Sequence, residues 1–302
     1  MPADAADRSD PATGSTTGTG PLAILAGAGE LPKVIADEVA RTGRPIFAVE
    51  VDGETDCDLS AYPRTRLPIG AAGRLKTVLM EHGCRDVLMA GSFRRPRFSE
   101  IEWNMGTVRA LSSIMRLKVG GDDAVVNGVV HIFESEGFRI VGPREVVPRL
   151  VAPQGTIGRL RPGKKARSDI ALGLSAIGRM GPLDIGQAVI VLAGRIVAVE
   201  AAEGTDSMIA RCAQLRDNGR IAAPPPSGVL VKAMKPGQEL RLDMPVVGLD
   251  TVRGAAAAGL EGIAIEAGKV LLPRIEEVGA AADDAGLFIV GVDLGDRTGR
   301  PE

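Results

Sequence analysis

The chain is poor in aromatic residues, histidine and cysteine. Aromatic side chains make up 3% of its 302 residues, so the stacking platforms of single-strand nucleic-acid binders are missing. His82 and His131 are the only histidines, which leaves little material for a His-centred metal site or catalytic triad. Cys57, Cys84 and Cys212 are far apart, odd in number and in no ligand spacing. This argues for a reducing compartment and against a zinc site or a disulfide framework.

Strong net charge and long apolar runs are absent as well. A net charge of -2 and a pI near 5.9 give no reason to expect nucleic acid as a partner. No segment reaches 18 uninterrupted apolar residues, so no membrane span is expected. Residues 1–20 have neither a basic start nor an apolar run, and their acids disfavour a transit peptide. We therefore expect a cytoplasmic protein with a disordered tail over residues 1–20.

The first half alternates apolar runs with helical spacing. Leu22 to Ala26, Ile46 to Val51 and Val87 to Ala90 are typical of buried strands, and helical patterns lie between them. This alternation predicts a parallel sheet with crossover helices over residues 21–150. Two further helices are predicted over Thr107 to Val119 and Asp122 to Glu136.

The second half begins after a segment that is rich in proline and glycine. Residues 151–165 have no apolar period and are interpreted as a linker. Residues 166–295 are interpreted as a second α/β domain and residues 296–302 as a tail. The predicted strands of the second domain are Ala188 to Leu192, Ile196 to Ala201, Val229 to Lys232, Gly262 to Glu266 and Leu287 to Val292. The first two are expected to form a hairpin.

A glycine-rich turn joins the first strand to the first helix. It reads Gly27-Ala28-Gly29-Glu30-Leu31-Pro32, and its free N–H groups at a helix N-terminus favour an anion. Glu50 and Asp52 end the second strand about where a ribose-binding acid would lie. Pro32 takes the place of the third glycine of a dinucleotide fingerprint, however, and proline is ordinary at a helix start. We expect nucleotide or nucleotide-sugar contact here, whereas a tight turn alone is the simpler alternative.

Three smaller motifs have competing explanations. Gly91 follows the third strand and is expected to line the same crevice, while Arg94 and Arg95 also fit a solvated basic turn. Asp122 precedes a helix, where it serves as an N-cap or contacts a sugar hydroxyl or metal. Gln187 enters a strand, where a buried amide needs partners.

Charged residues recur in the second half within segments that should be buried. They are Glu200, Glu203, Asp206, Lys232, Lys235, Arg241 and Asp243. A buried charge costs several kcal/mol unless it is paired or coordinates something, so these residues are predicted to form one polar pocket. A helix cap at Thr205 or Asp206 and a surface pair between Arg241 and Asp243 are the alternatives. The clustered carboxylates suit Mg²⁺ or Mn²⁺ that carries substrate phosphates.

In this order, the blocks resemble the two-domain UDP-2,3-diacylglucosamine pyrophosphatases of lipid A synthesis, a type unrelated to calcineurin-like phosphoesterases. The resemblance spans about Leu22 to Asp293. Its blocks are Gly27 to Pro32, Met89 to Gly91 with Arg95-Pro96, Gly121 to Asp123, Leu183 to Gln187, Val199 to Asp206, Lys235 to Pro245 and Gly259 to Ile263.

The resemblance implies a Rossmann-like N-terminal domain, a second domain of a fold peculiar to the family, and a lipid-nucleotide chamber between them. It implies Mg²⁺-dependent hydrolysis of the pyrophosphate bond to UMP and 2,3-diacylglucosamine 1-phosphate, with Asp243 at the position of the essential acid. Glu239 departs from the aspartate of many relatives. An NAD-linked oxidoreductase and a non-enzymatic nucleotide-sugar or lipid sensor remain the alternatives.

We therefore assign the candidate residues to three roles, and Asp243 has two of them. Asp243, Lys232 and Lys235 are the catalytic candidates. The metal candidates are Glu200, Glu203, Asp206 and Asp243, and the substrate-binding candidates are Gly27, Ala28, Gly29, Leu31, Gly91, Asp122, Gln187, Gly204 and Thr205. The acyl chains require an apolar cleft, for which Val108, Leu111 and Met115 are candidates. Peripheral contact with the inner membrane is expected because the lipid substrate partitions there, and a homodimer is compatible with the sequence.

Overall fold

The computed structural model describes residue 18, residues 20–93 and residues 122–294. Apart from residues 18 and 20, the predicted tails lie outside this range. So do the predicted helix at Thr107 to Val119, the arginines Arg94 and Arg95, and the cleft candidates Val108, Leu111 and Met115.

The N-terminal sheet is parallel throughout. Its strands are β1 (Leu22–Ala26), β2 (Ile46–Val51), β3 (Arg64–Leu67), β4 (Asp86–Ala90) and β5 (Arg139–Ile140), in the order β3-β2-β1-β4-β5. Its helices are α1 (Leu31–Arg41), α2 (Ala72–Glu81) and α3 (Asp122–Ser135). The predicted Rossmann-like parallel sheet is confirmed.

Both faces of this sheet are covered by apolar side chains. Every residue of β1 and β2 is buried, as expected for parallel strands between helices. One face carries Ile24 and Ala48 in a cluster with Val34 and Ile35 of α1. The other face carries alternate residues such as Leu25 in a second cluster. The continuous apolar runs of the sequence reflect this two-sided burial.

The second sheet is mixed, which confirms the mixed α/β prediction. Its strands are β6 (Gly155–Ile157), β7 (Ala188–Leu192), β8 (Arg195–Val199), β9 (Val229–Lys232), β10 (Gly262–Glu266) and β11 (Phe288–Val292), in the order β6-β11-β10-β9-β7-β8. Strands β9, β10 and β11 are parallel, whereas β6, β7 and β8 pair antiparallel with their neighbours. The remaining helices are α4 (Pro143–Val146), α5 (Lys164–Met180), α6 (Gly204–Asp217), α7 (Leu249–Ala257) and α8 (Ile275–Asp284).

The segment interpreted as a linker contributes to this second sheet. Strand β6 lies inside residues 151–165 and pairs with β11, and α5 already begins at Lys164. Ala152 is buried in the C-terminal core. The sequence pattern does not reveal β6 because three residues beside prolines and glycines are too few to show alternation.

A loop between β9 and α7 packs into both domains, and we call residues 233–247 the bridging segment. Its Met244 is buried in the N-terminal core cluster that contains α1, and Leu240 packs against the same cluster. Its Leu242 packs on the cluster of the opposite sheet face. Arg241 forms an ion pair with Glu134 of α3, with a distance of 3.0 Å between Nη1 and Oε1. The bridging segment therefore fastens the two domains together.

None of the helices within the described residues is both long enough and apolar enough to cross a membrane.

Candidate active site

Buried polar side chains gather at one end of the C-terminal sheet. Lys232 ends β9 and lies opposite Ala188, the first residue of β7. Glu200 follows β8, and its N–H donates to the Ala188 carbonyl at 2.9 Å. Because β7 and β8 form a hairpin, the start of one and the end of the other meet beside the carboxyl end of β9. The strand register thus brings Gln187, Glu200 and Lys232 together.

Glu200, Thr205 and Lys232 form a buried hydrogen-bonded chain. The Thr205 hydroxyl donates to Glu200 Oε1 at 2.6 Å and accepts from Lys232 Nζ at 2.8 Å. The other Glu200 oxygen accepts from the Gln187 N–H at 2.8 Å, and Lys232 Nζ also donates to the Val246 carbonyl at 2.9 Å. Glu200 and Lys232 are each only 6% exposed. The predicted burial of these charges among apolar strands is therefore observed, with both charges satisfied.

Burial dominates the protonation of Lys232. Removal from water lowers the pKa of this ammonium, while the negative charges of Glu200, Asp206 and Asp243 raise it. Lys232 is therefore within electrostatic reach of Asp206 and Asp243, and it is linked to Glu200 through Thr205.

Asp243 is held by the amide of Gln238. Gln238 Nε2 donates to Asp243 Oδ2 and lies 3.5 Å from Gln187 Oε1. The side-chain oxygen of the same amide accepts from the Lys235 backbone N–H at 3.1 Å, and the Lys235 ammonium pairs with Asp184. Asp243 as a whole is half-buried, and the contact with Gln238 holds its carboxylate.

Arg241 points to other partners than Asp243. Its guanidinium donates to both oxygens of Glu239, at 3.0 and 2.8 Å, in addition to Glu134. These hydrogen bonds lower the pKa of the Glu239 carboxyl. The alternative of a surface pair between Arg241 and Asp243 is therefore not what the structure shows. Glu239 serves an ion pair at the domain boundary.

The four acids proposed as metal ligands occupy different surroundings. Glu203 pairs with Arg211 at 2.7 Å, and Asp206 is exposed in the first turn of α6. Gly204 starts this helix with φ of +79°, a conformation that favours glycine. Within residues 20–93 and 122–294, no three acidic, histidine or cysteine side chains are grouped as a metal site. Glu203 is thus engaged by Arg211, whereas Glu200 is engaged by the hydrogen-bonded chain to Lys232.

The donor set nevertheless fits a magnesium ion that arrives with a diphosphate. In such sites Mg²⁺ is bound by one or two carboxylates together with substrate phosphates and water. Asp206 is exposed, Asp243 is half-buried, and the negative charges of both act on Lys232, so these two carboxylates suit such a shared role. A cage built only from protein ligands is not needed.

The glycine-rich turn packs against the loop that follows β4. Gly27 N–H donates to the Ala90 carbonyl at 2.8 Å, and Ala28 and Ser92 exchange backbone hydrogen bonds. Gly91 has φ of +87°, and a Cβ there would lie 2.6 Å from the Ala28 carbonyl oxygen. Gly91 is therefore required for close approach of two turns, which does not by itself indicate a ligand.

One N–H group of this glycine-rich turn is already hydrogen-bonded to a carboxylate. Gly29 N–H donates to Asp56 Oδ1 at 2.7 Å, so a phosphate at this N–H would have to displace a carboxylate. Leu31 begins α1 and packs against the N-terminal core. The backbone of Asp122 begins α3, consistent with its predicted place at a helix start.

Three further residues at this end of the C-terminal sheet were not among the predicted site residues. Gln238 orients Asp243, Asp184 pairs with Lys235, and Glu266 is buried at the end of β10. The available signal for Glu266 was a carboxylate closing an apolar strand, the same signal that drew attention to Glu200.

Comparison with known proteins adds a family assignment. Residues 21–150 match the family model described as the LpxI N-terminal domain, and residues 153–290 match the LpxI C-terminal domain. The UDP-2,3-diacylglucosamine pyrophosphatase LpxI of Caulobacter vibrioides is 40% identical to the chain over 276 residues. This alignment covers 91% of the chain and 99% of that relative.

Proposed function

Because the chain belongs to the LpxI family, we propose that it hydrolyses the pyrophosphate bond of UDP-2,3-diacylglucosamine in lipid A synthesis. The proposed products are UMP and 2,3-diacylglucosamine 1-phosphate. The observation that carries the proposal is the position of Asp243. This acid lies on the bridging segment, held by Gln238 and near the buried Lys232.

In the proposed reaction Asp243 orients a water molecule and accepts its proton. The carboxylate has two oxygens, of which Oδ2 accepts from Gln238; among the described residues this leaves Oδ1 as the proposed contact for water. The water oxygen forms a bond to one phosphorus as the bond from that phosphorus to the bridging oxygen breaks. The electron pair of that bond leaves with the departing phosphate, so that water is consumed and no redox change occurs.

Positive charge near Asp243 supports the binding of a diphosphate. Lys235 is tethered by Asp184 at the start of the bridging segment, from which its ammonium would steady the leaving phosphate. Lys232 is proposed to add a second positive charge at longer range, since both observed hydrogen bonds of its ammonium go to protein oxygens.

Mg²⁺ is proposed to enter with the substrate. When bound, it would neutralise phosphate charge and stabilise the transition state of phosphoryl transfer. Asp243 and Asp206 are the proposed ligands. Glu200, both of whose oxygens already accept hydrogen bonds, and Glu203, which pairs with Arg211, would join them only after leaving these partners.

The nucleotide sugar is proposed to lie between the two domains. Its nearest candidates are the turn from Gly27 to Leu31 with Gly91 on one side, and Gln187 with Gly204 and Thr205 on the other. The glycine-rich turn is also joined to the C-terminal domain by an ion pair between Glu30 and Arg274, with 3.4 Å between Oε2 and Nη2.

The test compares Asp243→Asn with Asp250→Asn in the full chain. Asp250 is an exposed aspartate of α7 whose side chain is 85% accessible, so its replacement is a matched control. With UDP-2,3-diacylglucosamine and Mg²⁺, we expect Asp243→Asn to reduce UMP release by on the order of 10²- to 10⁴-fold while substrate binding persists. Asp250→Asn should retain wild-type turnover.

Other outcomes would contradict specific parts of the proposal. Near-wild-type turnover by Asp243→Asn would remove this residue from the mechanism. UMP release that survives a chelator would remove the metal. Tight binding without UMP release would favour the non-enzymatic sensor, and saturable NADH binding would favour the oxidoreductase.

A further inference from the structure

We infer that Glu266 is a positioning residue, whose carboxylate fixes the start of the bridging segment and thereby the placement of Lys235 and Asp243. The inference rests on the proposed function for its catalytic consequence. Its structural basis is independent of the substrate.

Glu266 contacts the first turn of the bridging segment directly. Its Oε2 accepts a hydrogen bond from the Met234 backbone N–H at 3.0 Å. Its Oε1 pairs with Lys269 Nζ at 2.9 Å. The residue is 3% exposed, so the carboxylate is almost wholly committed to these two partners. Met234 is followed directly by Lys235, so this bond holds the backbone one residue before a proposed phosphate contact.

The turn that begins at Glu266 also holds the other end of the bridging segment. Leu271 N–H donates to the Pro245 carbonyl at 2.7 Å, and Val247 N–H donates to the Leu271 carbonyl at 2.9 Å. Residues 266–271 thus grip the segment on both sides of Gln238 and Asp243. The contacts of Leu271 use backbone groups alone, whereas the contact with Met234 depends on the Glu266 side chain and can be removed by substitution.

Asp169 offers a matched control with the same chemistry elsewhere. It is 4% exposed, and its two oxygens accept from the backbone N–H groups of Ala193 and Gly194, at 2.9 and 2.7 Å. These residues form the hairpin turn after β7, at the opposite end of the sheet from Lys232. Loss of Asp169 therefore perturbs the same domain without releasing the bridging segment.

The experiment uses four variants of the full chain at a temperature where circular dichroism shows all of them folded. Glu266→Ala removes both contacts, Glu266→Gln keeps an oxygen that accepts from Met234, Lys269→Met removes only the ion pair, and Asp169→Ala is the control. A mispositioned catalytic group costs on the order of 10²-fold in rate. We expect Glu266→Ala to lose kcat to about this extent with a much smaller change in KM, while the other three variants retain most of the wild-type kcat.

Amide hydrogen exchange of peptides from residues 233–247 supplies a readout that needs no substrate. Glu266→Ala should accelerate exchange there, and Asp169→Ala should not. Inactivity of the wild-type protein toward the diacylated UDP-sugar would refute the proposed function and leave the exchange result intact. Unchanged exchange or unchanged kcat in Glu266→Ala overturns the positioning role, as does a Glu266→Gln protein as defective as Glu266→Ala.

Discussion

Replacement of Lys232 by methionine tests whether the buried chain from Glu200 to Val246 is an interdependent unit. Methionine is similar in length and apolar, so the change removes the ammonium with little change in volume. It leaves the Thr205 hydroxyl and the Val246 carbonyl without their donor. It also removes the ammonium that Thr205 links to the 6% exposed Glu200 carboxylate.

The structure supports an estimate of the loss. A buried acceptor left without a partner costs about 1–3 kcal/mol. Breaking a direct buried ion pair costs about 3–5 kcal/mol, which is an upper limit here because Thr205 lies between Glu200 and Lys232. The desolvation that lowers the pKa of Lys232 is relieved in the variant and offsets part of this cost. We therefore expect the free energy of unfolding to fall by about 3 kcal/mol.

Urea denaturation followed by far-UV circular dichroism measures the effect. With a slope of about 3 kcal/mol per molar urea, the midpoint should fall by about 1 M. The double variant Glu200→Gln with Lys232→Met removes both charges, and we expect it to regain about 1–2 kcal/mol relative to the additive sum. A single variant with the wild-type midpoint, or strictly additive losses in the double variant, would refute the interdependence.

Three further predictions concern other parts of the fold. Burial raises the pKa of Asp86, but hydrogen bonds from Arg139, at 2.8 and 2.9 Å, help to lower it below its ordinary value. The carboxylate therefore stabilises the fold above its unfolded pKa of about 4, and this stability is lost as pH falls from about 4 through the lower folded value. Urea titrations at several pH values should show this loss, and a smaller one in Asp86→Asn. Gly91→Ala places a side chain at positive φ and 2.6 Å from a carbonyl oxygen, so we expect a loss of about 2 kcal/mol and a thermal midpoint lower by about 4–8 °C; an unchanged midpoint would contradict the close approach. Glu134→Gln removes a partly exposed partner of Arg241, and because Glu239 remains paired we expect less than about 1 kcal/mol of destabilisation by urea titration, a larger loss being inconsistent with a solvent-screened pair.

Much of the fold was predictable because burial leaves a strong pattern. The apolar runs of β1, β2, β4, β9 and β10 matched observed strands within about a residue. Strand β3 reads Arg-Thr-Arg-Leu, an edge strand with exposed arginines, and has no apolar run to detect. Helix α7 is short and rich in alanine and glycine, so it shows little periodicity.

The site was predictable in its charges and less so in its pairings. The cost of burying Glu200 and Lys232 indicated that they needed partners, and the structure supplies Thr205 between them. The sequence could not show that Glu203 and Glu200 have different partners. Glu203 meets Arg211 only when α6 is folded back on β8. The role of Gln238 could not be predicted for a similar reason, because its contact with Asp243 lies within a loop that has no periodic pattern.

The bridging segment makes the two halves incomplete when they are considered apart. Met244 and Leu271 fill space in the first core although they belong to the second half of the sequence. A fragment ending at residue 150 would therefore expose a hole where those side chains insert, and the complementary fragment would present them to water. The domain boundary that the sequence indicates is therefore a poor place to divide the chain, because the loop that carries the proposed catalytic acid also completes the core of the N-terminal domain.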